Sequence, residues 1–236
     1  MKAIILAAGV GSRLQKSSLC ESVPKALIVL RNGKTILENQ LGNLRRYCDM
    51  DDVIVVVGFR KELIMEFAPT LTYVYNHLFR SNNTGKSLLC ALKKVKNEDV
   101  LWLNGDVVFD HRIIGMMLAQ NLSCMAVNRA AVYEEEIKFR VDERGFIREV
   151  SKGIKEGALG EAVGVNFVRA VDLPLLKDSL TLCAANDYFE KGIEMAIERG
   201  MRVWPVDISD LKCVEVDFPE DLDKANSFFA EDARGM

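Results

Sequence analysis

Residues 3–7, Ala-Ile-Ile-Leu-Ala, form an uninterrupted apolar run that breaks at once into a glycine loop, Ala8-Gly9-Val10-Gly11. A stretch apolar on both faces suits a strand buried inside a parallel sheet. Glycines directly after it let the backbone turn sharply and approach a ligand closely. Arg13 follows within the turn, and a second cation, Lys25, returns on a Pro24-Lys25 pair. Successive backbone N–H groups in such a turn can form an anion-binding nest. An arginine fork and a lysine point charge beside it complete a phosphate cradle. Glycine turns also serve tight packing in α/β domains, but packing does not require two cations around one turn.

Two familiar phosphate motifs fail on spacing. The dinucleotide fingerprint G-x-G-x-x-G would need a third glycine where Leu14 stands, so a nicotinamide cofactor is disfavoured. Thr84-Gly85-Lys86-Ser87 copies the end of a P-loop. The glycine that should open that motif falls at Arg80, and Asn82-Asn83 fill its middle.

The pattern downstream extends the sheet. Val53–Val57 is a second continuous apolar run, and Thr35 with Glu38 forms a capping box ahead of a helix with Leu37, Leu41, Leu44 and Cys48 on one stripe. A helix near 60–67, a strand at 72–75, a helix at 86–94 and a strand at 100–104 follow. This alternation predicts a doubly wound, mostly parallel but mixed α/β sheet of Rossmann-like type. From 137 the pattern changes to a hairpin, 137–141 and 146–152, turning at Asp142-Glu143-Arg144-Gly145. A strand at 162–168 and a helix from Asp187 to Arg199 follow, the helix with Asp187 and Glu190 in cap-like spacing. Strands at 202–206 and 212–216 precede a helix from Pro219. With 236 residues, 49% hydrophobic and 28% charged, the chain reads as one domain with a large core. Its pattern divides into a first part at 1–130, a small β-hairpin subregion at 131–190, and closing strands and a helix at 191–236.

A net charge of −3 leaves no electrostatic footprint for nucleic acid. Six cysteines without a Cys-x-x-Cys pair read as reduced thiols, not as a disulfide frame or zinc site. The opening apolar run is too short for a signal peptide, and nothing approaches a membrane span. The expected location is cytoplasmic, and the composition leaves a homodimer open.

Strand 100–104 ends in Asn104-Gly105-Asp106. Ligands in open α/β sheets sit beyond the carboxyl ends of the strands, so Asp106 should project into the crevice of the glycine loop. The alternative is an aspartate that only caps the turn after the strand. In CVEVDFPEDLDKA (213–225), Asp217 ends a strand, and Glu220, Asp221 and Asp223 complement the dipole of the following helix.

Taken together, AIILAAGVGSRL followed by PKAL resembles the signature of the nucleotidyltransferase superfamily that joins an NTP to a phosphorylated sugar or alcohol. It is most similar to the phosphocholine and inositol-1-phosphate cytidylyltransferase branch. The segment between Arg13 and Lys25, QKSSLCESVP, is longer than that signature and lacks its Pro-Leu-Thr. The resemblance implies that Arg13 and Lys25 are catalytic, with the nucleotide held at Leu6, Ala7, Ala8, Gly9, Gly11 and Ser12. It also implies base contacts from the 81–87 segment through Asn83, Gly85 and Ser87, although a helix N-cap loop accounts for the same composition. Asp106 and Asp217 then become ligands of Mg²⁺, which binds through one or two carboxylates and keeps waters. Lys152 would take the acceptor phosphate, with Glu161, Asn166 and Asp187 as partners for hydroxyls or an ammonium group. The partners implied are an NTP, with CTP favoured, and a small phosphorylated acceptor such as inositol-1-phosphate or phosphocholine. A sugar-1-phosphate enzyme using UTP, dTTP or GTP stands as the alternative. A glycosyltransferase would want an Asp-x-Asp pair, and a non-catalytic nucleotide sensor would tolerate loss of Lys25 or an aspartate.

Overall fold

The N-terminal apolar run forms the central strand β1 (Lys2–Ala7). The structure, a computed structural model, describes residues 1–11, 23–130 and 136–229. On one side β1 pairs in parallel with β2 (Val53–Val57), which pairs in parallel with β3 (Thr72–Tyr75). On its other side β1 pairs in parallel with β4 (Val100–Asn104). Beyond β4 comes the short β5 (Val107–Phe109), which leaves the main sheet. The sheet itself continues through β6 (Cys124–Asn128), the hairpin β7 (Lys138–Val141) and β8 (Ile147–Ser151), β9 (Glu161–Val168) and β10 (Trp204–Asp207). Its order is β10-β6-β9-β4-β1-β2-β3, with β9 antiparallel to both β4 and β6. The sheet is therefore mixed and mostly parallel. Strand order reverses around β1: the chain winds outward through β2 and β3, then crosses to β4. That reversal opens a crevice at the carboxyl ends of β1 and β4.

Alternation along the strands assigns the two faces. Ala3, Ile5, Val53 and Val55 pack with Leu37, Leu41 and Leu44 of α1 (Ile36–Leu44) on one side. Ile4, Leu6, Ile54 and Val56 pack on the other with Leu88 and Leu92 from the helix at 84–92. Helix α1 starts on the expected capping box: Thr35 Oγ1 accepts from Glu38 N–H at 3.1 Å, and Glu38 Oε2 accepts from Thr35 N–H at 2.7 Å. The remaining helices are α2 (Lys61–Phe67), α3 (Thr84–Leu92), α4 (Arg112–Ala119), α5 (Leu173–Leu182), α6 (Phe189–Glu198) and α7 (Pro219–Ser227). No helix among the described residues is long and apolar enough to cross a membrane.

Three expectations shift. Helix α3 begins at Thr84, two residues before the predicted start, because Asn83 caps it by accepting from Thr84 N–H at 2.8 Å. Strands β5 and β6 and helices α4 and α5 were not resolved by periodicity. Helix α6 begins on Tyr188 rather than on an Asp187–Glu190 cap. The Asp187 carboxylate turns back to accept from Ala184 N–H at 2.7 Å, and Glu190 is buried.

The C-terminal segment is what completes the crevice. Strand β11 (Cys213–Glu215) pairs antiparallel with β5, and Val216 N–H donates to Asp106 O at 3.0 Å. Val214 and Val216 pack with Ile28, Leu30 and Ala225 in a small third cluster. This layer carries Asp217 to the same place as Lys25 and Asp106.

Candidate active site

A cavity of about 350 Å³ lies at the carboxyl ends of β1 and β4. Leu6, Ala7, Gly9 and Gly11 line one side. Gly11 holds φ +70°, and a Cβ there would stand 3.0 Å from Lys25 Cγ, so glycine both makes the turn and lets the lysine stem pass. Gly105 allows β4 to close on β1: a Cβ would come 2.7 Å from Leu6 O. Ala8 is buried behind the loop, its carbonyl accepting from Phe59 N–H at 3.1 Å. Ser12 and Arg13 lie outside the described residues.

Lys25 is the electrostatic centre. Its Nζ donates to Asp106 Oδ2 at 3.0 Å and also to Asp217 Oδ1. Pro24 fixes the backbone just before the short 3-10 turn Lys25–Leu27, aiming the side chain inward. Burial alone would push the ammonium's pKa down, but the two carboxylates outweigh it and hold it above the usual lysine value. Asp217 is fixed from behind, since Asp221 accepts from Asp217 N–H at 3.1 Å and from Phe218 N–H at 2.8 Å. Residues 106 and 217, far apart in sequence, thus share one cation.

The opposite wall is acidic and aromatic, with Glu136, Glu190 and Glu215 joined by Tyr188 and Phe189. Glu190 is 6% exposed, and desolvation pushes its carboxyl up to about 7 despite the nearby positive charge of Lys152. Glu215 is raised well above the usual carboxylate range, first by desolvation and then by Asp106, although Asn104 Nδ2 donates to its Oε1 at 2.7 Å. Lys152, on the turn after β8, also lines the cavity, and its Nζ lies 5.1 Å from the centre of the Tyr188 ring.

The predicted base-recognition segment is arranged differently from expectation. Thr84 lines the cavity, whereas Asn83 and Ser87 do not. Asn83 is spent on its cap, and Ser87 Oγ accepts from the buried Asn76 Nδ2 at 2.9 Å. Gly85 instead permits close approach to another loop, since a Cβ would stand 2.9 Å from Asp187 O. Three further hydrogen bonds tie the two segments: Asn83 N–H to Ala185 O, Gly85 N–H to Asp187 O, and Phe189 N–H to Thr84 Oγ1. Of the four predicted acceptor residues, Lys152 reaches the cavity. Glu161 and Asn166 are buried within β9, and Asp187 faces its own turn.

Sequence reasoning missed Glu215, Asn104, Glu136 and the inward role of Glu190. Two of these carried a signal. Asn104 and Glu215 each precede an aspartate of the site by two residues at a strand end, and period-two alternation puts such pairs on one face. Glu190 looked like an ordinary first-turn acidic residue, and its burial is purely tertiary.

Residues 3–136 match the model of the MobA-like NTP transferase domain, and the chain belongs to that family of nucleotidyltransferases. It is 30% identical over 249 aligned residues to CMP-5'-(3-aminopropyl)phosphonate synthase of Streptomyces rubellomurinus; 98% of this chain is covered, but only 39% of that relative's length. A D-glycero-alpha-D-manno-heptose 1-phosphate guanylyltransferase of Campylobacter jejuni is 29% identical over 151 residues, covering 62% of this chain and 66% of that one. Among solved structures, the inositol-1-phosphate CTP transferase from T. maritima superposes with a TM-score of 0.75 at 20% identity, over 97% of this chain and 96% of the other. That likeness is one of fold.

Proposed function

We propose that this chain is a cytidylyltransferase, joining CTP to a small phosphorylated alcohol with release of pyrophosphate. The observation that carries the reading is Lys25 held between Asp106 and Asp217 directly below the Gly9–Gly11 turn. An oxygen of the acceptor phosphate attacks the α-phosphorus. The new P–O bond forms as the bond to the β-phosphate oxygen breaks, and pyrophosphate leaves with that electron pair. A phosphomonoester has its second pKa near about 6 and is already an anionic nucleophile at neutral pH, so no general base is required of the protein. The task of the site is to relieve repulsion between anions and stabilise charge at the transferred phosphorus. Lys25 serves the α-phosphate region, and Arg13 is assigned to the β- and γ-phosphates. Leu6, Ala7, Gly9 and Gly11 approach the nucleotide through their backbone.

Asp106 and Asp217 fit a Mg²⁺ ion, because two carboxylates already converge on one cation, the Lys25 ammonium. When bound, the metal supplies charge neutralisation at the nucleotide phosphates. Cytidine is favoured by the name of the Streptomyces relative, a CMP-phosphonate synthase. The Campylobacter guanylyltransferase supports the alternative, a sugar-1-phosphate enzyme using another base. Pyrophosphate release measured across CTP, UTP, dTTP and GTP with a panel of phosphorylated alcohols and sugars tests the proposal. The expected result is release with CTP and a phosphorylated alcohol; a UTP, dTTP or GTP preference with a sugar-1-phosphate selects the alternative.

A further inference from the structure

We infer that Asp221 is a positioning residue: it sets the direction in which the Asp217 carboxylate faces, and so the oxygens that Asp106 and Asp217 together offer to a divalent cation. This rests on the nucleotidyl-transfer reading above, with Mg²⁺ at Asp106 and Asp217, and adds to it a residue that does not itself line the cavity. An acidic residue in the first turn of α7 would serve the helix dipole from any orientation. Asp221 is placed more narrowly than that. Its Oδ2 accepts from two successive main-chain N–H groups, Asp217 at 3.1 Å and Phe218 at 2.8 Å. Capping α7 calls for the second of these bonds, since Phe218 is the N-cap residue. The first reaches one residue further back, onto the carboxylate-bearing position of the site.

The main chain around Asp217 is bracketed from both sides. Before it, Val216 is buried against Ile28 and Ala225, and its N–H donates to the carbonyl of Asp106, the other aspartate of the pair. That bond sets how far apart the two aspartates stand. After it, Pro219 brings no N–H, so the two amides that residues 217–219 possess both go to Asp221. Bonds from N–H groups to an anionic oxygen are the stronger kind. With its peptide fixed in this way, Asp217 is left its side-chain torsions alone, and its Oδ1 rests on the Lys25 ammonium beside Asp106 Oδ2. Mg²⁺ demands near-ideal octahedral geometry, so carboxylates that share it must be held in place. Losing the hydrogen bonds behind a metal ligand typically costs about 10–100-fold in affinity.

The test uses Mn²⁺, which suits the same carboxylate and water ligands as Mg²⁺. Bound ion is counted by electron paramagnetic resonance on the 236-residue chain without nucleotide. The wild type and a Lys25→Ala background, where no ammonium competes, are titrated in parallel. Asp221→Ala should weaken Mn²⁺ binding at least ~10-fold in both. Asp221→Asn keeps an oxygen able to accept the same two N–H bonds and should stay within ~3-fold of its parent. Asp221→Glu keeps the charge and a residue suited to cap Phe218 but moves the oxygen, and should weaken binding at least ~5-fold. Thr35→Ala removes the cap of α1, away from the cavity, and should lower Tm with Mn²⁺ affinity unchanged. Equal affinity in Asp221→Ala and its parent overturns the proposal; if that variant does not fold, equal affinity in Asp221→Glu does so. A loss in Asp221→Asn as large as in Asp221→Ala overturns it too, because charge and not the placed oxygen then acts. An equal loss in Thr35→Ala reduces the effect to general destabilisation and refutes it. Absence of bound Mn²⁺ in both wild type and Lys25→Ala removes the proposal together with the metal assignment, while pyrophosphate release across the NTP panel reports separately on nucleotidyl transfer.

Discussion

Lys25 holds two carboxylates that would otherwise repel each other, so its removal has two separable effects. Lys25→Ala and Asp106→Ala should each lower turnover at least ~10²-fold if both groups act on charge at the transferred phosphorus. Lys25→Ala should in addition bind divalent metal more readily, since no ammonium competes for Asp106 and Asp217. Thermal melts with and without Mg²⁺ check this: the metal-induced rise in Tm should be larger in the variant than in the wild type. Glu190 gives a pH signature. Its folded-state value of about 7 lies above the ordinary 4.5, so the folded protein binds the extra proton in the interval between. Stability associated with the neutral form is complete below 4.5 and is lost as pH rises through 7. Glu190→Gln should therefore match the wild type near pH 4 and exceed it at pH 8, by at most about 3 kcal/mol on the scale of 1.4 kcal/mol per pKa unit. Melts at the two pH values, in the absence of acceptor, measure the difference.

Elements defined by local chemistry were legible in the sequence, and those defined by distant partners were not. The Thr35–Glu38 box lies within four residues and starts α1 as expected. The Val53–Val57 run and Pro219 at the first turn of α7 are equally local signals. By contrast β5 is three residues long and exists through its pairing with β11 about a hundred residues later. The spacing of Asp187 and Glu190 obeyed a capping rule, but Glu190 is drawn into the interior and Asp187 caps a tighter turn. The site divides in the same way. Lys25, Asp106 and the glycine loop announce themselves through backbone chemistry and charge. Glu215 was hidden behind its neighbour Asp217, and Asn83 and Ser87 looked like ligand contacts because cap and interior hydrogen bonds use the same residue types. Gly164 belongs to this scale, as the point where β9 makes room for Asn104 and Glu215. Gly164→Ala should cost more than about 1 kcal/mol in chemical denaturation, because the new Cβ meets both a left-handed backbone and occupied space.

Across the whole molecule, the cavity is assembled from two stretches of chain. Residues up to Asp106 contribute the glycine loop, Lys25, Thr84 and the first carboxylate, and residues from Glu136 onward contribute the acidic and aromatic wall and Asp217. The match to the MobA-like domain covers residues 3–136, nearly the first stretch alone. The two stretches meet where the turn at 83–85 is laced to the loop at 185–189. Those hydrogen bonds tie the start of α3 to the loop that carries Tyr188 and Glu190 into the cavity. The same division means that a substitution in the later stretch can reshape the acidic and aromatic wall of the cavity without touching the glycine turn on its other side.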